Sequence, residues 1–161
     1  MRSAIILNFQ GPNNQMIMNQ FYATAVTYSG FGVLIRGPSG SGKSDLALRL
    51  IDNGAGLISD DQVIIKVVGQ ELYLSPPESI SGLIEVRGVG VIKIEYDRDI
   101  RLCLIVELDP SNDVQRTPRV KEELIKNIPV PVINLNAFEN SVLAKIKMVL
   151  GYLDKKIEII L

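Results

Sequence analysis

Residues 37–44 read Gly-Pro-Ser-Gly-Ser-Gly-Lys-Ser, the spacing of a Walker A loop that cradles phosphates. Gly37, Gly40 and Gly42 let the backbone curl until successive amides converge on phosphate oxygens. Pro38, Ser39 and Ser41 complete the loop. Lys43 can reach the outer phosphates of ATP or a related nucleotide as a point charge, and the Ser44 hydroxyl can ligate Mg²⁺. From average residue usage, the four fixed positions arise by chance in such a chain on the order of 1% of the time or less. A Gly/Ser-rich turn capping a helix would explain the glycines, but not Lys-Ser placed directly after Gly42.

Phosphoryl transfer also needs an acid for the metal or for the attacking hydroxyl. Histidine is absent from the chain, so proton transfer near neutral pH falls to a carboxylate, Lys, Tyr, Cys or water. Two places offer the carboxylate. The apolar run 102–108 ends in Asp109, as a Walker B strand does, although Pro110 follows and Asp is also a turn former. Asp60 and Asp61 directly follow Leu57-Ile58-Ser59, and neighbouring strand residues face opposite ways, so one of the pair is expected to enter the site. A third feature is residues 84–93, Ile-Glu-Val-Arg-Gly-Val-Gly-Val-Ile-Lys. Glu85 and Arg87 share a face if this stretch is extended, and Gly88 and Gly90 permit a sharp turn. A plain strand, glycine bulge and strand carrying a surface ion pair would read the same way.

These groups need elements to hold them. Residues 21–28 and 32–36 read as strands joined by a turn at Ser29 and Gly30, the second running straight into the loop. Residues 43–53 read as a helix, with Leu46, Ala47, Leu50 and Ile51 on one face and Gly54 at its end. Residues 56–59 lead to the Asp pair; 63–68 and 71–74 form a hairpin across Gly69 and Gln70, ended by Pro76 and Pro77. Residues 83–86 and 90–94 flank an Arg87-Gly88 turn, and 102–108 is a buried strand. A short helix is expected over 121–126, between Pro118 and Pro129. A longer one is expected over 141–153, with Ser141 as N-cap and Val142, Leu143, Ile146, Val149 and Leu150 facing inward. The order implies an α/β domain, a mixed sheet covered by flanking helices.

The chain has 161 residues, 47% of them hydrophobic and 22% charged, a composition that supports one folded domain. Residues 1–20 read as an N-terminal extension, polar and turn-rich from residue 9, with the domain over 21–161. Seventeen basic against eighteen acidic residues leave a net charge of −1. No basic stripe is visible, and the small groups at 98–101 and 116–121 read as loop charges, so no nucleic-acid partner is expected. The lone Cys103 lies in an apolar run and reads as a small core residue. One Cys and no His are too few ligands for the usual protein zinc site, leaving hard-metal chemistry on oxygen donors. No apolar run approaches the ~20 residues of a membrane span, and residues 4–7 are too short for a secretory core, so the expected location is the cytoplasm.

Taken together, residues 32–54, Leu57-Ile58-Ser59-Asp60-Asp61 and residues 83–94 resemble the catalytic domain of HPr kinase/phosphorylase, the bacterial enzyme that phosphorylates the carrier HPr on a serine and can reverse the reaction. The resemblance covers about residues 20–150. It implies a fold related to phosphoenolpyruvate carboxykinase, ATP and Mg²⁺ as cofactors, an HPr-like phosphocarrier as partner, and a hexamer. By this resemblance Lys43 and Ser44 keep their loop roles, Asp61 is the general base for the serine hydroxyl and the acid in reverse, and Glu85 is a Mg²⁺ ligand. Residues 84–93 then serve both directions, and Arg116 matches a catalytic arginine near a flexible loop.

Three departures stand out. About 20 residues precede the match, where longer members of the family carry a regulatory domain. Tyr22 replaces the family's histidine, 21 positions before Lys43. Asn136-Ala-Phe-Glu-Asn-Ser141 stands where the family has a second glycine-arginine segment serving phosphorolysis. The first reading is therefore an ATP- and Mg²⁺-dependent protein serine kinase of a phosphotransferase system. The rivals are a small-molecule kinase, with residues 116–119 as a thin arginine lid, and a nucleotide-binding regulator without activity.

Overall fold

A computed structural model describes residues 20–111, 116 and 121–160. Of the expected extension over residues 1–20, only Gln20 lies among them.

The first hydrophobic run does not form one strand. It breaks at Ala23 into β1 (Gln20–Tyr22) and β2 (Thr24–Tyr28), because the two halves pair with different neighbours. The turn at Ser29 and Gly30 returns the chain into β3 (Phe31–Arg36). The phosphate loop follows, then α1 (Lys43–Asp52), β4 (Gly56–Ser59), β5 (Gln62–Val68) and β6 (Glu71–Ser75). A single 3-10 turn (Glu78–Ile80) precedes the hairpin β7 (Leu83–Val86) and β8 (Gly90–Lys93). The long β9 (Ile100–Leu108), β10 (Lys121–Ile125), β11 (Ile128–Leu135) and α2 (Val142–Leu153) complete the domain.

β9 organises the sheet. One edge lies parallel to β3. Its other edge is shared: Ile100 and Arg101 pair antiparallel with β6, whereas Ile105 to Leu108 pair parallel with the end of β11. The path runs β1-β5-β6-β9-β3-β2-β4, with the β10–β11 hairpin branching from β9. The sheet is therefore mixed and curled.

Alternation along the central strands divides the core in two. Val33, Ile35, Leu104, Val106 and Leu108 join Leu46 and Leu50 of α1 and Val142, Ile146 and Leu150 of α2 in one cluster. Leu34 and Ile105 point the other way, into the curl, with Phe21, Ile58, Val63, Ile65 and Leu74. Leu143 and Val149 pack against the first cluster from its margin. Ser141 stands at the N-cap of α2, but its side chain makes no capping hydrogen bond.

One expected element is wrong. Residues 121–125 form a strand, not a helix, and pair residue for residue with β11. Lys-Glu-Glu-Leu-Ile has good helix propensity, but that preference amounts to only a few tenths of a kcal/mol per residue, roughly. Two tertiary effects outweigh it. Lys126 and Asn127 both adopt left-handed backbone, with φ of 49° and 65°, and close a two-residue hairpin. Glu123 also bonds the buried Arg36 at 2.6 Å. Pro129 and Pro131 precede the segment of β11 that joins β9, where a missing N–H costs the parallel ladder nothing.

Cys103 sits half-buried in β9. Burial raises its thiol pKa against the opposing charge of Arg101, as befits a structural residue rather than a reactive one.

Candidate active site

β3 delivers the chain into the loop through a buried anchor. Arg36 is 2% exposed, and its guanidinium donates to Glu107 at 2.8 Å and Glu123 at 2.6 Å. Burial alone would lower the arginine pKa; the bond and charge of Glu123 and Glu107 outweigh it and raise the value. This ties the root of the loop to β9 and β10.

Beyond Arg36, the Ser41 amide donates to the Pro38 carbonyl at 3.1 Å, and Leu46 N to Gly42 O at 2.8 Å opens α1. Gly42 has φ 93°, and a Cβ there would lie 3.0 Å from that of Ala137. Glycine is needed at that position for both conformation and space. Pro38, Ser39 and Gly40 are exposed, whereas the Ser41 side chain turns inward, is buried, and has no hydrogen-bond partner among the described residues. Lys43 Nζ lies back over the loop, donating to the carbonyls of Gly37 at 2.9 Å and Pro38 at 3.1 Å.

The acid question resolves geometrically. Asp60, just past β4, is 6% exposed. Its Oδ1 accepts from Ser44 Oγ at 2.7 Å and from Thr24 Oγ1 at 2.9 Å, and its Oδ2 accepts the Glu85 amide at 3.1 Å. Asp60 is therefore the member of the pair joined to the loop. Asp61 faces the other way, exposed, with φ of 70°. That is uncommon backbone for a non-glycine residue, and such positions cluster at functional sites. It is held from both sides, because the Asp61 carbonyl accepts the Ala23 amide at 3.1 Å and its own N–H approaches Thr24 Oγ1 at 3.5 Å. Asp109 takes the turn role: its Oδ1 accepts the Ser111 amide at 2.8 Å, and bonding to Ser111 lowers its pKa.

The remaining expected residues surround this centre unequally. Glu85 is exposed on β7, with its backbone tied to Asp60 and Ile84 buried in the core beside it. Arg87, Gly88 and Gly90 form the exposed tip of the β7–β8 hairpin, the glycines at φ 84° and 130°. Among the described residues there is no Glu85–Arg87 ion pair; the Val89 amide closes the turn on the Val86 carbonyl at 2.9 Å. Tyr22 is exposed on β1, opposite Gln62 and thus beside Asp61. Arg116 is exposed, and its neighbours on both sides lie outside the described residues.

Sequence reasoning missed Thr24. It is fully buried, and its hydroxyl touches both members of the acidic pair. The signal was a hydroxyl residue inside the otherwise small and apolar stretch Ala23-Thr24-Ala25-Val26.

The Ser44 hydroxyl and the Asp60 carboxylate that accepts its hydrogen bond are oxygen donors, which suit a hard cation. No group of three or more His, Cys, Asp or Glu side chains could hold a metal among the described residues.

The family model described as HPr Serine kinase C-terminal domain matches residues 15–146. The chain belongs to that family. HPr kinase/phosphorylase from Chlorobium limicola is 35% identical over 140 residues, 79% of this chain and 42% of the relative. The protein of that name from Clostridium beijerinckii is 33% identical over 129 residues, 70% of this chain and 43% of the relative. The chain thus spans well under half the length of these curated relatives. The structure of the Hpr(Ser) kinase/phosphatase from Coxiella burnetii superposes with a TM-score of 0.72 at 27% identity, covering 84% of this chain and 97% of that one. The mixed, curled α/β fold is therefore that of the family. No helix among the described residues is long and apolar enough to cross a membrane.

Proposed function

We propose that this chain is the catalytic domain of an ATP- and Mg²⁺-dependent protein serine kinase acting on HPr or an HPr-like phosphocarrier. The observation that carries the proposal is the Ser44–Asp60 bond at 2.7 Å, which joins a phosphate loop to a buried carboxylate beside a second, exposed one. Family membership supplies the reaction class.

The loop amides and the start of α1 bind the phosphates, aided by the positive end of the helix. Lys43 leaves the Gly37 and Pro38 carbonyls to neutralise the charge on the transferring group. Ser44 and Glu85, with Asp60 bonded to Ser44, would hold Mg²⁺, which would neutralise phosphate charge. Asp61, exposed and on a backbone fixed from two sides, accepts the proton of the incoming serine hydroxyl. Asp60 positions Ser44. By family likeness Arg116 would add positive charge to the site.

Such catalysis rests on positioning and electrostatics. The reverse reaction, removal of phosphate from phosphoserine, is expected to be weak, because Tyr22 stands where the family has a histidine and residues 136–141 stand where it has a second glycine-arginine segment. By family likeness the protein works in the cytoplasm as a hexamer that regulates a phosphotransferase system. Incubation with terminally labelled ATP and HPr tests the proposal: label on a serine of HPr supports it. Label passing only to a small metabolite, or nucleotide binding without transfer, would replace it.

A further inference from the structure

The strand order gives the phosphate loop two unlike flanks. On one side of β3 lie β2 and β4, which carry Thr24 and lead to Asp60, the acid bonded to Ser44. On the other side lie β9 and β11, and the chain leaving β11 passes directly over the loop. There the side chain of Asn136 is buried, and its Oδ1 accepts the Phe138 amide at 2.9 Å. The Ala137 carbonyl accepts a hydrogen bond from Arg49 of α1. Ala137 itself is 1% exposed and packs on Gly42. This short segment is thus clamped at three consecutive residues. What it holds out is Phe138, 61% exposed, with its ring edge 3.3 Å from where a Cβ of Gly42 would stand.

A phenyl ring fixed against a phosphate loop, yet left open to water, calls for an occupant of its free face. The loop itself indicates which. If the terminal group of a triphosphate sits at Ser44 and Asp60, the way back along the loop amides leads to the flank opposite the acids. That flank is the one bearing Phe138. Ligands of open α/β sheets bind in this crevice beyond the carboxyl ends of the parallel strands, here β3, β9 and β11.

We propose that Phe138 is a stacking platform for the base of the bound nucleoside triphosphate. The proposal rests on the phosphate-loop reading and adds a subsite to it. Stacking uses the π face that every base presents, so the platform separates base-bearing donors from bare polyphosphate without separating adenine from guanine.

Calorimetric titration of the native chain and of Phe138→Ala with MgATP, MgGTP and Mg-tripolyphosphate tests it. The expected result is a rise of about 10-fold in the Kd of both nucleotides and no change for tripolyphosphate. The chain contains no tryptophan, so Phe138→Trp gives a second, independent readout. Its emission should be quenched by MgATP and left unchanged by tripolyphosphate. Equal losses for all three ligands in Phe138→Ala, or none, would overturn the platform, as would emission from Phe138→Trp that responds alike to ATP and tripolyphosphate. A native chain that binds tripolyphosphate but shows no effect of Phe138 on ATP defeats the platform alone. One that binds neither defeats the phosphate-loop reading and the platform with it.

Discussion

Replacing Thr24 by valine removes a single hydroxyl while keeping the volume and branching of a fully buried side chain. That hydroxyl is one of three donors to the Asp60 carboxylate, beside Ser44 Oγ at 2.7 Å and the Glu85 amide at 3.1 Å. Hydrogen bonds to charged groups contribute about 1.5–3 kcal/mol each, and the loss is partly cushioned here because the two other donors remain. A stability loss of about 1.5–2 kcal/mol is the expected value. The effect on turnover should be larger than on binding, because the phosphate loop is untouched while Asp60 is freed to turn from Ser44 and Asp61 loses the group beneath its amide. A fall of roughly 10- to 100-fold in kcat, with little change in the KM for ATP, corresponds to about 1.4–2.7 kcal/mol of lost transition-state stabilisation. Thr24→Ser keeps the hydroxyl and loses one methyl, so it should restore kcat while costing about 1 kcal/mol of stability. Urea unfolding and steady-state kinetics on the three proteins measure both quantities. Native kcat in Thr24→Val, or equal kinetic losses in Thr24→Val and Thr24→Ser, would refute a role for the hydroxyl in holding the acids.

The two acids should fail differently. Asp61→Asn should abolish transfer while nucleotide still binds, whereas Asp60→Asn should also weaken Mg²⁺-nucleotide binding; identical behaviour of the two, followed by calorimetry and turnover, would contradict the division of roles. Arg36→Met leaves Glu107 and Glu123 without their buried partner and should cost about 3 kcal/mol, since breaking a buried pair from one side is strongly destabilising. A shift in urea midpoint equivalent to less than about 1 kcal/mol would place that pair among surface ion pairs instead. Tyr22→His should raise the rate of phosphate removal from phosphoserine-HPr selectively, and a native reverse rate equal to the forward rate would remove the reason for this expectation.

The glycine loop, the helix after it and the β5–β6 and β7–β8 hairpins could be read in advance because their signals are local. Turn glycines, two-residue periodicity and a capping pattern all act within a few residues. What escaped reading depends on distant partners. Residues 121–125 favour a helix when taken alone; their strand state is settled by β11 and by Arg36, 87 positions from Glu123. The Asp pair shows the same limit at the site. Alternation says that one acid turns in, but which one depends on where β4 delivers the chain relative to Ser44, and that is a property of the sheet. Family likeness pointed to Asp61 for the proton, and nothing local revealed that Asp60 would hold Ser44. Thr24 was hidden for the same reason, since a threonine in a strand is ordinary until its partner is seen.

On the proposed function, the phosphate loop, with Lys43 as its charge, transfers the terminal phosphoryl group of ATP to a protein serine. It is tested most directly by a single-turnover reaction of the native chain and Lys43→Ala with terminally labelled ATP, Mg²⁺ and HPr, the product being mapped by phosphopeptide analysis. The expected result is label on one serine of HPr with the native chain, and at least a 100-fold slower transfer, or about 2.7 kcal/mol, in Lys43→Ala. Equal transfer by the two proteins, or no label on HPr with native protein that binds ATP, would contradict it.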